Sequence, residues 1–159
     1  MQHLKTSLLL SLLSTAVAIT PPATQPVLTM QRVTTVTVAG KSVERLEHAE
    51  TTRPGDLLQI GSTLKLSGKE KGARFTVPVP ANTAYVPGSA RASVGVKITY
   101  AMDVKGPFSA QPTKTVTVQE GGKTVTRTVP APQNEYRAVR YDLGGLEGTL
   151  TVAHRVRVE

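Results

Sequence analysis

Residues 146–158 read Leu-Glu-Gly-Thr-Leu-Thr-Val-Ala-His-Arg-Val-Arg-Val, and their alternation indicates the fold class. One side of this stretch carries Leu150, Val152, His154, Val156 and Val158. The other side carries Thr149, Thr151, Arg155 and Arg157. Successive side chains of a β-strand point to opposite faces of the sheet. This period of two therefore predicts a strand with one face in a core and the other face in solvent.

The same strand pattern recurs along the chain at intervals of about ten residues. The predicted strands are 33–38, 42–48, 57–66, 74–79, 91–102, 114–119, 123–129, 136–142 and 146–158. The segment 42–48 has few apolar residues, which is typical of an edge strand. The Thr-Val alternations 114–119 and 123–129 flank a Glu-Gly-Gly loop, which predicts a hairpin. The chain holds 22 Thr and 20 Val among 159 residues, and no segment has a helical period. These features predict an all-β protein, an antiparallel β-sandwich of about 7–9 strands, with a barrel as the alternative.

The composition excludes several kinds of catalytic and metal site. There is no Cys, which rules out disulfides, thiol nucleophiles and Cys-ligated zinc. No Gly-x-Ser-x-Gly elbow, calcium-binding loop or phosphate-binding glycine loop occurs. The Asp residues stand singly in turn-like settings, so no pair of carboxylates marks a glycosidase. We therefore expect a protein that is not an enzyme.

The N-terminus has the three parts of a secretory signal peptide. Lys5 supplies the positive charge, a leucine-rich stretch follows, and Ala16-Val17-Ala18 is an A-x-A cleavage site. The leucine-rich stretch is shorter than the roughly 20 residues that span a bilayer, and the alternatives are an uncleaved anchor or a buried helix. We predict 1–18 as a signal peptide, 19–32 as a Pro- and Thr-rich arm or linker, and 33–159 as the β-sandwich domain. The mature protein would be exported to the periplasm or the cell surface, with no transmembrane span.

Three stretches resemble one known family. Arg53-Pro-Gly-Asp-Leu-Leu58 is similar to its opening turn, Val79-Pro-Ala-Asn-Thr-Ala-Tyr-Val-Pro-Gly-Ser-Ala90 to its most specific stretch, and Leu143-Gly-Gly-Leu with Gly148-Thr-Leu-Thr-Val and Arg155-Val-Arg-Val158 to its closing strand. The family is the conserved-repeat, immunoglobulin-like domain of unknown function found in bacterial cell-surface proteins. The resemblance covers roughly residues 50–159, with a gap at 103–135. It implies an immunoglobulin-like β-sandwich at the cell envelope without catalytic residues. Family members usually occur as tandem copies, so the single copy here favours a small accessory subunit.

The two histidines that follow the predicted cleavage site define an alternative function. His154 lies on the apolar side of the last strand, and His48 ends the predicted edge strand. Imidazole suits copper or zinc, so the two residues would serve a small copper-dependent β-sandwich enzyme if their strands were neighbours. A third ligand would come from Glu47, Glu50 or Asp56. The alternative for His154 is a core histidine whose N–H bonds to the backbone.

The basic character of the chain points to its partners. The formal net charge is +8 at pH 7, with 19 Lys and Arg against 11 Asp and Glu. A candidate basic face consists of Lys65, Lys69, Lys71, Arg74, Arg155 and Arg157. Such a face would bind an anionic polysaccharide, lipid headgroups or an acidic surface of a larger envelope or surface-layer protein; the alternative is a solvated surface. Nucleic acid is not expected, because the chain is predicted to be exported and only 4% of its residues are aromatic.

These observations predict an exported, non-catalytic structural or interaction module, an accessory subunit of a larger surface assembly. Its working surface would be either a free sheet edge, for strand pairing with a partner, or the basic face. No cofactor is expected in that case.

Overall fold

A computed structural model describes residues 26–69 and 71–159 of the chain. These residues form eleven strands and one 3-10 turn and contain no α-helix. The strands are β1 (Thr29–Val38), β2 (Lys41–His48), β3 (Leu57–Ser67), β4 (Arg74–Pro78), β5 (Thr83–Tyr85), β6 (Arg91–Ala92), β7 (Ile98–Ala101), β8 (Thr113–Glu120), β9 (Lys123–Pro130), β10 (Ala138–Asp142) and β11 (Glu147–Val158). The 3-10 turn spans Gln133–Glu135. The predicted signal peptide and residues 19–25 of the predicted arm lie outside the described residues.

Two sheets pack face to face around the core. The larger sheet has the order β2–β1–β3–β11–β5, with β6 also pairing with β11, and the smaller sheet has the order β4–β10–β7. Every pairing in both sheets is antiparallel. The core between them contains residues from both sheets, among them Leu58, Leu64, Val77, Tyr85, Val139, Tyr141, Val152 and Val156. The predicted all-β antiparallel sandwich is confirmed.

The stretch 146–158 forms the strand that organises the larger sheet. β11 pairs with β3 from Glu147 to Arg157 and carries β5 and β6 on its other side. Its residues Leu150, Val152 and Val156 are buried as the alternation predicts. Apolar side chains at every second position thus keep one face of β11 against the smaller sheet.

One predicted strand is wrong. The alternation over 91–102 predicts a single strand, but the chain forms two short strands there, β6 and β7. β6 pairs with β11 in the larger sheet, whereas β7 pairs with β10 in the smaller sheet. Residues 93–97 therefore cross between the sheets, and Val94 is 47% exposed instead of sharing a buried face with Ile98. A local period carries no information on which strand is the hydrogen-bonding partner.

The predicted arm also ends earlier than expected. β1 begins at Thr29, so residues 29–32 belong to the larger sheet. They pair with the first half of β3, between Leu58 and Gly61. The polar and mixed composition of residues 29–32 gives no period of two, and only their pairing with β3 makes them a strand.

Two hairpins extend the structure. β1 and β2 are joined by Ala39-Gly40, and β8 and β9 by Gly121-Gly122; all four loop residues have positive φ, as type I′ turns require. In the described part of the chain, β8 and β9 pair only with each other, as predicted for this hairpin, and neither contains a buried residue. β2 is the outer strand of the larger sheet, as predicted for 42–48.

Two of the stretches that carry the family resemblance build turns. In the first, a carboxylate oxygen of Asp56 accepts the backbone N–H of Arg53 at 2.9 Å. In the second, Tyr85 is buried, and its hydroxyl oxygen accepts the backbone N–H of Ala90 at 3.2 Å. These side chains hold local backbone conformation, so the role of both stretches in this fold is structural.

Candidate functional site

The two histidines of the predicted copper site lie on opposite faces of the larger sheet. His48 of β2 pairs with Gln31 of β1. Gln31 in turn pairs with Gln59 of β3, whose partner on β11 is Arg155. Paired residues share a face, so His48 lies on the side of Arg155, and His154 lies on the other side. Three strand spacings, on the order of 14 Å, also separate the two histidines. The structure does not bring them together, and the described residues contain no group of three His, Asp or Glu side chains that could hold a metal ion.

His154 is a residue of the apolar core. It is fully buried, and its ring centroid lies 5.9 Å from that of Tyr85. Within the described residues neither Nδ1 nor Nε2 has a hydrogen-bond partner, so the expected N–H bond to the backbone is not formed. Burial lowers the pKa of His154 from 6.5 to about 4, because the charged ring would lose its hydration. The imidazole is therefore neutral at pH 7 and contributes to packing.

Arg155 and Arg157 are bound within the protein. Arg155 donates from Nη1 and Nη2 to the two carboxylate oxygens of Glu44, at 2.9 and 2.5 Å, and its side chain is only 18% exposed. These hydrogen bonds hold the pKa of Glu44 below its ordinary value. Arg157 donates to the carbonyl oxygen of Gly55 at 3.0 Å. Because Glu44 lies on β2, its bond to β11 requires the β1–β2 hairpin to bend over the outer face of the larger sheet.

The other members of the predicted basic face gather around the C-terminal end of β3. They are Lys65, Lys69, Lys71 and Arg74, and all four are exposed. Lys65 is six residues beyond Gln59, the partner of Arg155, so roughly 20 Å separate the two parts of the predicted face. The six residues therefore do not form one continuous basic surface. Arg157 is also exposed, but it lies opposite Leu57, at the other end of β3 from these four cations.

One edge of β3 lacks a partner over its last six residues. On one side, β3 pairs with β11 along its whole length, from Leu57 to Ser67. On the other side, β1 covers only Leu58 to Gly61. Among the described residues, no strand pairs with 62–67 on that side. We call this segment the open edge of β3.

The register identifies the backbone groups that the open edge presents. The type I′ turn of the β1–β2 hairpin closes on Val38 and Lys41, and the closing pair of such a hairpin is hydrogen-bonded. Counting back by twos from Val38 reaches Arg32, which bonds to β2, so Gln31 directs its N–H and C=O the other way, toward Gln59 of β3. The odd-numbered residues of β3 therefore face away from β11. On the open edge these residues are Thr63, Lys65 and Ser67.

The hydrogen bonds of β11 agree with this orientation. The carbonyl oxygen of Arg155 accepts the N–H of Val86 at 2.9 Å, and that of Thr151 accepts the N–H of Ser93 at 2.8 Å. Both bonds lie on the side of β11 that faces away from β3. Because Thr151 pairs with Thr63, the N–H and C=O of Thr63 point to the open side of β3.

A groove of about 900 Å³ runs along the open edge. Leu64 and Leu66 of β3, Phe75 of β4 and Leu143 line its apolar part. Its lining contains two charged residues among the described parts of the chain, and both are cations: Lys65 and Arg74. The groove therefore combines unpaired strand backbone, an apolar wall and positive charge.

The sequence points to the cations of this site, Lys65 and Arg74, but not to the open edge beside them. The exposed Thr63 and Lys65 alternate with the buried Leu64, which is the signal of any half-buried strand. That signal is the same whether the strand lies inside a sheet or at its edge. The edge is open because the pairing of β1 with β3 reaches only from Arg32 to Thr29, which lies opposite Gly61.

Comparison of the chain with protein-family models, with curated proteins and with solved structures finds no match. In the residues that the structure describes, no helix has the length and hydropathy that crossing a membrane requires.

Proposed function

We propose that this chain is an exported, non-catalytic interaction module of the bacterial cell envelope. It would have an immunoglobulin-like fold and act as an accessory subunit that holds a larger envelope or surface-layer protein. The observation that carries the proposal is the open edge of β3, where unpaired backbone groups lie beside an apolar, positively charged groove. A free sheet edge of this kind is the surface to which extended segments of other proteins add as a strand.

Other observations support the same function. The features of a signal peptide in residues 1–18 support export to the periplasm or the cell surface. The resemblance of 79–90 to the conserved-repeat domain supports a place at the envelope. The copper enzyme receives no support from the geometry, because His154 is buried on the face opposite His48.

The test is recovery of the partner from the native envelope. The purified chain is immobilised and incubated with an envelope extract at low and at high salt. We expect one envelope protein to be recovered in stoichiometric amount at both salt concentrations and to rebind after purification, since the backbone hydrogen bonds and apolar contacts of an added strand persist when salt screens the charges. Recovery of an anionic polymer or lipid, and of no protein, would replace the protein partner. Recovery of nothing at either salt concentration would refute the proposed function.

A further inference from the structure

We propose that the open edge of β3 binds an extended partner segment in which apolar and acidic residues alternate. The segment would add to the larger sheet as a strand beside residues 62–67. This inference rests on the proposed function and specifies its partner by chemistry.

The backbone of the open edge supplies the pairing. Thr63, Lys65 and Ser67 each direct one N–H and one C=O to the open side, as the register of the two flanking strands requires. An added strand of five or six residues would pair with all of these groups. The same three side chains are exposed. Of the described residues that precede β1, Pro26 and Val27 line the groove, and the Ser62 hydroxyl donates a hydrogen bond of 2.8 Å to the carbonyl oxygen of Val27.

The inner side of the groove favours apolar residues at every second position of the partner segment. Leu64 and Leu66 point toward the smaller sheet, where Phe75 of β4 and Leu143 complete the wall. Among the described strands, β4 is the outer one of its sheet, so no described strand closes the groove between the two sheets. Every second side chain of an added strand would point into this space, and apolar side chains fit it.

The outer face of the larger sheet favours acidic residues at the remaining positions of the partner segment. The intervening side chains of an added strand would lie beside Lys65, and the groove carries only the two cations Lys65 and Arg74 among its described charged residues. Lys69 and Lys71 follow in the adjoining loop. The acidic residues Glu147 and Asp142 lie opposite Ser67 and Arg74 in the register, but neither forms an ion pair with the four cations.

The same charge argues against a second copy of this chain as the occupant. An antiparallel pair of two open edges that uses all three outward-facing residues places Lys65 directly opposite the same residue of the other copy. Like charges in directly opposite positions destabilise a strand pair. A lysine on an edge strand is a common device against self-association, whereas an acidic partner strand would be attracted.

The test uses the full chain and a seven-residue peptide, Thr-Val-Glu-Val-Glu-Val-Thr, blocked at both ends. Binding is followed by calorimetry and by amide chemical shifts. We expect the shifts to centre on Thr63, Lys65 and Ser67. N-methylation of the Glu residues, whose N–H groups would face β3, should abolish binding, and N-methylation of the Val residues should not.

Two proline variants locate the pairing. Thr63→Pro removes an N–H that faces the open side, so the ladder between β3 and β11 keeps its hydrogen bonds. The variant should bind the peptide about fivefold more weakly or worse, which corresponds to the loss of one backbone hydrogen bond. Thr117→Pro is the matched control, because Thr117 of β8 faces outward on a different free edge. It should leave the affinity within about twofold, and equal thermal unfolding of the two variants shows that both are folded.

A charge exchange tests the acidic requirement. The Lys65→Glu protein should bind the Glu-containing peptide about tenfold more weakly than the parent does. It should bind a peptide with Lys in place of Glu more tightly than the parent does. An unchanged affinity in Thr63→Pro, equal binding of both N-methylated peptides, or shifts confined to other residues would overturn the inference. So would amides of the open edge that are already protected from hydrogen exchange in the free chain, since the edge would then be filled from within. If the Thr63→Pro protein still recovers the envelope partner, the proposed function stands and this binding site is wrong.

Discussion

Lowering the pH from 8 to 5 should weaken the fold through the buried imidazole of His154. The pKa of His154 falls from 6.5 to about 4 on folding, so the unfolded chain binds this proton more tightly than the folded chain. The resulting stability is complete above pH 6.5 and is lost as the pH falls toward 4. For these two pKa values, the linkage relation gives a loss of about 2 kcal/mol between pH 8 and pH 5. The loss approaches about 3 kcal/mol below pH 4.

The variant that isolates this effect is His154→Leu. Leucine has a similar volume and leaves no buried nitrogen without a hydrogen-bond partner, unlike His154. The variant should therefore be more stable than the parent at pH 8, by about 1–3 kcal/mol, and should lack the parent's additional loss at pH 5. His48→Leu is the matched control at an exposed position of β2, and it should keep the loss at pH 5 that the buried His154 causes.

The assay is urea-induced unfolding, followed by circular dichroism at pH 8, 7, 6 and 5. The difference between the parent and His154→Leu cancels the titration of the carboxylates, which the two proteins share. A difference that stays constant within about 0.5 kcal/mol between pH 8 and pH 5 would refute the reasoning. The imidazole would then have water or a polar partner in the folded state.

Three further predictions concern the packing, and unfolding by urea measures each. Tyr141→Phe should cost about 1–2 kcal/mol, because the Tyr141 hydroxyl donates a buried hydrogen bond of 2.9 Å to the carbonyl oxygen of Ala153; a cost below about 0.5 kcal/mol would contradict this. Gly61→Ala should cost about 1–3 kcal/mol, because a Cβ there would lie 2.7 Å from the backbone oxygen of Val152, and full stability would show that β3 and β11 can separate. Replacing 115–128 with Gly-Gly should change the stability by less than about 1 kcal/mol, because this hairpin holds no buried residue, and an unfolded product would contradict that prediction.

The fold class was predictable because it depends on a local property of the chain. Alternation in 57–66, 74–79 and 146–158 records which side chains face the core, and the corresponding strands appear with nearly the predicted bounds. The hairpin of β8 and β9 was predictable for the same reason, since its Gly-Gly turn is a local signal. The prediction failed in 91–102, where the chain changes its partner strand without interrupting the alternation.

The candidate site was only partly predictable, because it depends on distances between strands. The sequence places Arg155 and Lys65 alike among exposed basic residues. The fold separates them, since the β1–β2 hairpin brings Glu44 against Arg155 and leaves Lys65 in the groove. The proximity of His154 and His48 was unpredictable for the same reason. The alternation within a strand shows which face each residue occupies, but the order of the strands in the sheet sets the distance between the two histidines.

The sequence by itself determined the all-β class, the core-facing side chains of the alternating strands 57–66, 74–79 and 146–158, the hairpin turn at Gly121-Gly122 and the excess of positive charge. These properties follow from local geometry and composition, which every short segment carries. The tertiary structure alone decided that β1 pairs with β3 no further than Gly61, that β4 is the outer described strand of the smaller sheet, and that the groove between the two sheets carries Lys65 and Arg74. A free edge exists only in relation to strands that end elsewhere, so no local pattern in β3 records it.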